Sequence, residues 1–550
     1  MAERPRSAAS CIMASEAAHP RIPPPAAGGE IRVAGKWLVA ASVMLGTFLS
    51  VMDATVVNVA MPHMMGSFGE DLLTITWVST AYSIAEIIMI TMAAWFTALL
   101  GRKRLFLASM FMFIVGSALA GTSKTFGQMI FYRILQGIGG GSLMPCSQAI
   151  ARETFPPSEQ GMAMAVYSMG VVLAPAFGPV IGGWLVDNYG WQWVFYINLP
   201  FCVVGILMVS AFVHDPPYLK RGLEKIDWGG IGFLTIGLTA TQIVLERGQE
   251  VDWFANNWIL VGAVVAVVAL LSLIVWELMS NEPVIDFRLF RNLQLSVGSG
   301  IGAIVGFALY GSSFLLPQFT QDLLSYPAYQ AGLVLMPRAL AMLVAMPIIG
   351  RLYNYVSPRI LVGFGVTLLA IAYWKLGHFS LYVGFFSFLP ILLMTGVGMG
   401  ASMVTTSTVS LTTMPRAQMT SASSLLTLTR RVSGNVAYAT LATIVARRTQ
   451  FHRSVLVSGV TALNPVVRST ESGYSSFLAM RGFSQSTLPN HGLAMVNAQI
   501  NRQATMMAYN DGFFLMVPMF LLSLPLLLLL PRHGLPQDGS GDSWEEAGSH

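Results

Sequence analysis

Charged side chains are scarce in this chain: Asp, Glu, Lys and Arg make up 10% of 550 residues, against 54% hydrophobic, and the mean hydropathy is +0.63. Soluble domains carry roughly 25% charged residues, so a water-exposed globular protein is excluded. Cysteine is almost missing too. Cys11, Cys146 and Cys202 have no metal-type spacing and report nothing about redox chemistry. No G-x-x-x-x-G-K-[ST] phosphate loop and no H-E-x-x-H pair occurs, which argues against ATP hydrolysis and zinc-dependent catalysis in this chain. The eight histidines are scattered, so no interfacial catalytic cluster forms, and the chain is not expected to be an enzyme or to need a cofactor or metal. The ten-residue alternating segments of a transmembrane β-barrel are absent as well.

What is present is a succession of apolar runs, each long enough to cross a hydrocarbon core as a helix. Spans are expected near 37–61, 75–99, 104–122, 127–152, 160–185 and 191–213, then 227–247 and 257–277, then 293–320, 328–352, 359–377, 382–405, 421–446 and 512–531. That predicts an all-α integral membrane fold of fourteen transmembrane helices. An even number puts both termini on one side. The segments on that side hold about 18 Lys and Arg and the short loops opposite roughly three, so the termini are expected in the cytoplasm. Residues 1–36, Ala/Pro-rich and basic, read as a disordered cytoplasmic tail, and 532–550 as a second cytoplasmic tail. Residues 447–511 break the pattern as a long polar stretch on the far side. Two helical runs within it, punctuated by "LNP" and "TLPNHG", predict an external helical hairpin.

An internal repeat divides the spans. "GIGGGS" (Gly137, Gly139, Gly141) resembles "GVGMGA" (Gly396, Gly398, Gly400) at an offset of about 259, and "AAWFTALLGRKRLFL" resembles "IGRLYNYVSPRILV" at about 256. The order is therefore a six-helix bundle at 37–213, two additional helices at 227–277 and a second six-helix bundle at 293–531. Parallel halves with a midplane site between them resemble the major-facilitator fold.

Ionisable residues deep in spans are few: Asp53, Glu86, Arg133, Arg338, Arg430 and Arg431. A charge there costs roughly 2.5–3.5 kcal/mol on insertion, so each is a functional candidate. Asp53 lies roughly 12 Å and Arg133 roughly 9 Å from the outer ends of their helices, a matching depth for pairing, and Glu86 lies about 16 Å in. Burial raises a carboxyl pKa and a nearby arginine lowers it, as a proton carrier needs. The alternative is a fixed Asp53–Arg133 pair that locks helix packing. Glu86 is a proton site, a contact for a cationic substrate, or a neutral acid bonded to a neighbouring helix. Arg338, Arg430 and Arg431 lie in the half without deep carboxylates. Either they reach water or phosphate at the inner face, or they wall a cavity for anionic and weak-acid substrates. The fifth span, "SMGVVLAPAFGPVIGGWL", carries Gly170, Ala174, Gly178 and Gly182 every four residues, with Pro175, Pro179 and Gly183 beside them. Such a face admits close helix approach.

Together these stretches resemble the fourteen-helix drug:proton antiporters of the major facilitator superfamily. "MDATVVNVAMP" is similar to their first-helix acid signature, "RILQGIGGG" to the fourth-helix arginine motif, the small-residue stripe to the antiporter motif, and "WQWVFYINLP" to the start of the sixth helix. The segment after the thirteenth helix and "SASSLLTLTRRVSGN" are similar to the EmrB type. The resemblance implies a proton-coupled exporter of amphipathic toxic compounds in the inner membrane, and the deep arginines lean the substrate toward weak acids. It implies Asp53 and Arg133 as proton-coupling residues and Gly170, Pro175, Gly178, Pro179, Gly182 and Gly183 as the gating motif; Glu86 is added as a proton site by its depth in the span and Ala174 by its place on the stripe. Substrate contacts are expected at Glu86, Gln136, Gln318, Arg338 and Arg430. Partners implied are a periplasmic adaptor of the EmrA/HlyD type, docking on 447–511, and a TolC-type outer-membrane channel. The alternative is a proton-coupled importer or exporter of one endogenous solute without adaptors. In one place the chain departs from the family. The loop between helices two and three offers Gly101, Arg102, Lys103 and Arg104 without the usual acid, which puts the inner-gate charge network in doubt.

Overall fold

The computed structural model describes residues 35–215, 227–280, 283–461, 464–481 and 488–531. The tails, save residues 35 and 36, and the basic loop residues Lys220, Arg221 and Lys225 lie outside the described residues. The first group of helices is α1 (Lys36–Phe68), α2 (Leu72–Ile75), α3 (Trp77–Leu100), α4 (Arg102–Gly121), α5 (Phe126–Gly141), α6 (Leu143–Thr154), α7 (Gln160–Tyr189), α8 (Trp193–Tyr196) and α9 (Asn198–Phe212). Two follow, α10 (Trp228–Arg247) and α11 (Asn257–Met279). The last group is α12 (Leu293–Gln318), α13 (Ala328–Leu352), α14 (Pro358–Leu376), α15 (Phe385–Thr412), α16 (Met419–Ser458), α17 (Pro465–Met480) and α18 (Leu488–Leu527). The described residues contain no strand, and the fold is all-helical.

Among the described residues, eleven helices are long and apolar enough to cross a membrane, or twelve if the two arms of α7, bent by 43°, count as one span. The other two expected crossings fall short for physical reasons. The fourth is broken at Ser142 into α5 and α6, of 16 and 12 residues, and α16 carries Arg430, Arg431, Arg447, Arg448 and Arg453. Several boundaries also move outward. The first helix continues through Pro62 and Gly66 to a left-handed cap at Gly69. In the 447–511 region α16 and α18 run on as single helices of 40 residues each. Between them lies α17, a helix absent from the expectation. It starts where the Asn464 side chain caps the Val466 amide and Pro465 takes the first turn, a usual helix start.

The repeat is visible in the packing. A Cβ on Gly137 would meet Ala85 at 2.8 Å, and one on Gly396 would meet Ala341 at 2.6 Å, an equivalent neighbour 256 residues on. Each half thus closes its fourth helix onto its second through glycines, where lipid gives helices no hydrophobic reason to associate and close contact supplies the attraction. The stripe on α7 packs on α1, with Gly170 against Met44 and Gly182 against Val56. Gly183 has only Val59 near it, at 3.9 Å, so this position of the motif is not a tight crossing. Between the halves, α7 crosses α13 backbone to backbone: a Cβ on Gly350 would stand 2.7 Å from the Gly161 carbonyl. Helix α10 lies against α3 of one half and α16 of the other.

Candidate functional site

Asp53, buried on α1, is the centre of a closed polar network. Its Oδ2 accepts from Arg133 Nη1 at 2.5 Å, and its Oδ1 accepts from Gln136 Nε2 at 2.8 Å and Asn198 Nδ2 at 3.0 Å. The helix spacing explains the geometry: Arg133 and Gln136 stand three apart on α5 and share one face. Arg133 also donates to the Val78 carbonyl and to Gln136 Oε1, and its guanidinium sits 4.3 Å from the Tyr82 ring centre. Ser117 on α4 takes bonds from both amides, Gln136 and Asn198, and donates to the Phe195 carbonyl. Gln136 is therefore committed to this network and does not line the central cavity.

Glu86 on α3 forms a second site. One carboxylate oxygen pairs with Arg431 Nη2 on α16, in the opposite half, and the other faces Ser50 Oγ at 3.4 Å. Of the two readings left open for Arg431, this pairing speaks against water or phosphate at the inner face. Its own half has no deep acid, and the acid comes from across the seam. Tyr82 joins the two sites: its ring lies under Arg133 and its hydroxyl donates to the Ser50 carbonyl.

Between the halves is a narrow cavity. Met144, Tyr167 and Val171 line it from the first half, and Val305, Gly306, Leu309, Tyr310, Met403, Thr427, Arg430 and Arg431 from the second. Its wall is apolar and aromatic with a cationic edge, which suits an amphipathic guest. Arg430 donates to Ser407 Oγ at 2.9 Å, and Arg338 to the hydroxyls of Ser312 and Ser313; neither has a carboxylate partner among the described residues. Arg338 and Gln318 do not line this cavity: Arg338 is held among hydroxyls behind it, and Gln318 ends α12 where a π-turn begins.

At the end of the bundle that carries Lys36, here the terminal face, the missing loop acid is replaced from elsewhere. Arg102 pairs with Glu153 at the end of α6 and reaches across the halves to Thr420 Oγ1 at 2.9 Å and the Arg416 carbonyl at 3.0 Å. Gly101 makes the turn with φ +86°, a conformation other residues rarely hold. The Lys103 amide donates to Asp215, while Arg104 is exposed. Arg152 to Thr412 and Asn354 to the Ser158 carbonyl add further links, so the halves are shut at this face. The charge network is present with a different acid.

Sequence reasoning missed Asn198, Ser117, Ser50 and Glu153. Asn198 carried a signal, since it lies within "WQWVFYINLP"; the two serines carried none.

The Major Facilitator Superfamily profile matches residues 43–438. The multidrug export protein EmrB of Escherichia coli K12 is 32% identical over 502 residues, covering 91% of this chain and 96% of that protein. EmrB of Haemophilus influenzae is 33% identical, covering 90% and 95%. The fatty acid resistance protein FarB of Neisseria gonorrhoeae is 30% identical, covering 89% and 95%. Among solved structures, the human organic anion transporter MFSD10 superposes with a TM-score of 0.59 at 15% identity, over 90% of this chain and 99% of that one, a likeness of fold. With this coverage and these helices, the chain belongs to the major facilitator superfamily and, within it, to the EmrB-type multidrug exporters.

Proposed function

We propose that this multi-pass exporter is a proton-coupled antiporter of amphipathic compounds, weak acids included, with its terminal face in the cytoplasm and its bundle in the inner membrane. The observation that carries the reading is the Glu86–Arg431 pair, which crosses between the halves at the cavity edge. Splitting a buried ion pair and leaving one charge alone costs roughly 3–5 kcal/mol. Two events together avoid that cost: a proton neutralises Glu86, and a substrate anion takes its place on Arg431. Their combination releases the contact between the halves, which is what alternating access needs.

The charge balance favours anions. Deep in the spans of the two halves the carboxylates Asp53 and Glu86 stand against four guanidinium groups, Arg133, Arg338, Arg430 and Arg431, of which Arg430 and Arg431 line the cavity. FarB confers fatty acid resistance and MFSD10 carries organic anions, and both names agree with that imbalance. The Asp53–Arg133–Gln136–Asn198 network holds a second proton-linked acid behind the first, with Tyr82 and Ser50 between them. An HlyD-type adaptor and a TolC-type channel complete a tripartite pump in this reading.

Proteoliposomes with an imposed pH gradient test it. Asp53→Asn and Glu86→Gln are each expected to lower gradient-driven export at least tenfold with protein still in the membrane. Wild-type transport that ignores the gradient would sink the coupling, and uptake in the opposite sense would make it an importer.

A further inference from the structure

A further carboxyl lies outside both networks, on the inserted helix α10. Glu246 stands one residue before the end of α10, half-buried, with Gln242 Nε2 3.4 Å from its Oε2 and the Thr80 hydroxyl of α3 beside it. Gln242 in turn accepts from Asn435 Nδ2 of α16. The helix is fixed there from both halves: Arg247 donates to Thr76 Oγ1 at 2.7 Å, and Trp253, just past α10, donates to Thr443 Oγ1 at 3.0 Å. The charged groups next to Glu246 are Arg247 and Glu250, and these two pair with each other at 2.9 Å. Toward it α3 turns Thr80, with Glu86 further in, and α16 turns Asn435, with Arg431 further in.

The levels of these residues connect the cluster to the cavity. Thr80 is six residues from Glu86 on α3 and Asn435 four from Arg431 on α16, rises of about 9 and 6 Å. Both lie toward the end of the bundle away from the terminal face. The Glu246 cluster therefore caps the same α3/α16 seam that the Glu86–Arg431 pair closes deeper down. A carboxyl in a membrane helix is expensive and is seldom kept for packing, where a Gln or Leu would do as well.

We propose that Glu246 is the loading carboxyl of the far side: it takes a proton from the external medium and passes it, through water in the α3/α16 seam, to Glu86. The balance is simple. Hydronium gives its proton to the Glu246 carboxylate; Glu246 gives it to the Glu86 carboxylate, which then lets go of Arg431; Glu246 ends ionised as it began. The inserted helices thereby acquire a part in the reaction, supplying an acid that neither repeated half contains. This rests on the proton coupling proposed above.

The test uses the full chain in proteoliposomes, with substrate found by the wild-type assay and two measurements on each variant: gradient-driven export, and substrate counterflow at equal pH on both sides. Glu246→Gln is expected to reduce gradient-driven export at least tenfold while counterflow stays within twofold, and Glu246→Asp to restore part of the drive. Undiminished drive in Glu246→Gln overturns the proposal, and so does equal loss of drive and counterflow, which would make Glu246 a packing residue. If wild type itself ignores the gradient, the coupling fails. If wild type responds, Glu86→Gln does not and Glu246→Gln does, the relay alone fails.

Discussion

Asp53 gathers donors from two helices, Arg133 and Gln136 of α5 and Asn198 of α9, and this is a task for a planar, forked cation. Arg133 spends Nε on the Val78 carbonyl and Nη1 on both Asp53 and Gln136, while its flat face covers Tyr82. A lysine brings one compact ammonium and no stacking plane. Arg133→Lys is therefore expected to keep the charge but lose the geometry, with gradient-driven export down at least tenfold and membrane protein within twofold on quantitative blots; export near wild type would show that charge alone suffices. The Asp53–Arg133 pairing was legible in the sequence, because helix rise alone sets both residues at one depth. Glu86 and Arg431 were legible as misplaced charges and not as partners, since 345 positions separate them and the repeat directs attention to each half by itself.

Helices α16, α17 and α18 form an element larger than a membrane span. α16 and α18 each run 40 residues, roughly 60 Å at the α-helical rise, twice what a hydrocarbon core requires. Their extra turns carry α17, whose described residues include none that is buried and which exposes Val466, Phe477 and Met480. At the root, Asp511 of α18 binds Arg448 at 2.5 Å and His452 at 2.8 Å on α16, which fixes the two long helices together where they leave the bundle. An adaptor is expected to dock here. Photocrosslinkers placed at Val466, Phe477 and Met480 should capture a co-expressed HlyD-type adaptor, and the same probes at Phe386 on α15 should not; an assembly that survives deletion of α17 would count against this docking. The long helices were legible: the two helical runs in 447–511 read as a hairpin continuing out of the membrane helices, and α16 and α18 do run on unbroken, whereas α17 between them was not foreseen. The start of α17 was written in "LNP", an asparagine cap followed by proline, and was read as punctuation alone.

At the scale of the whole molecule, the halves are joined at the terminal face mainly by arginine side chains, Arg102 and Arg152. Arg102 is held by Glu153 within its own half and by Thr420 and the Arg416 carbonyl across the gap. Glu153→Gln should loosen that grip and shift the population toward opening at this face; spin labels at Ser158 and Asn354 should report a longer or broader distance than in wild type, and an unchanged distribution would assign Arg102 to anchoring only. The sequence did not disclose this latch, because the acid stands 51 residues from its arginine instead of in the same loop. The Gly161–Gly350 crossing brings two backbones together with the Cβ atoms of Ala165 and Tyr353 as the nearest side-chain atoms, so little side-chain bulk opposes rotation there. It sits near one end of α7, and the rest of that helix, roughly 40 Å by its rise, is a lever arm. A turn of about 10° around such a fulcrum sweeps the far end through about 7 Å, roughly the width of an aromatic ring.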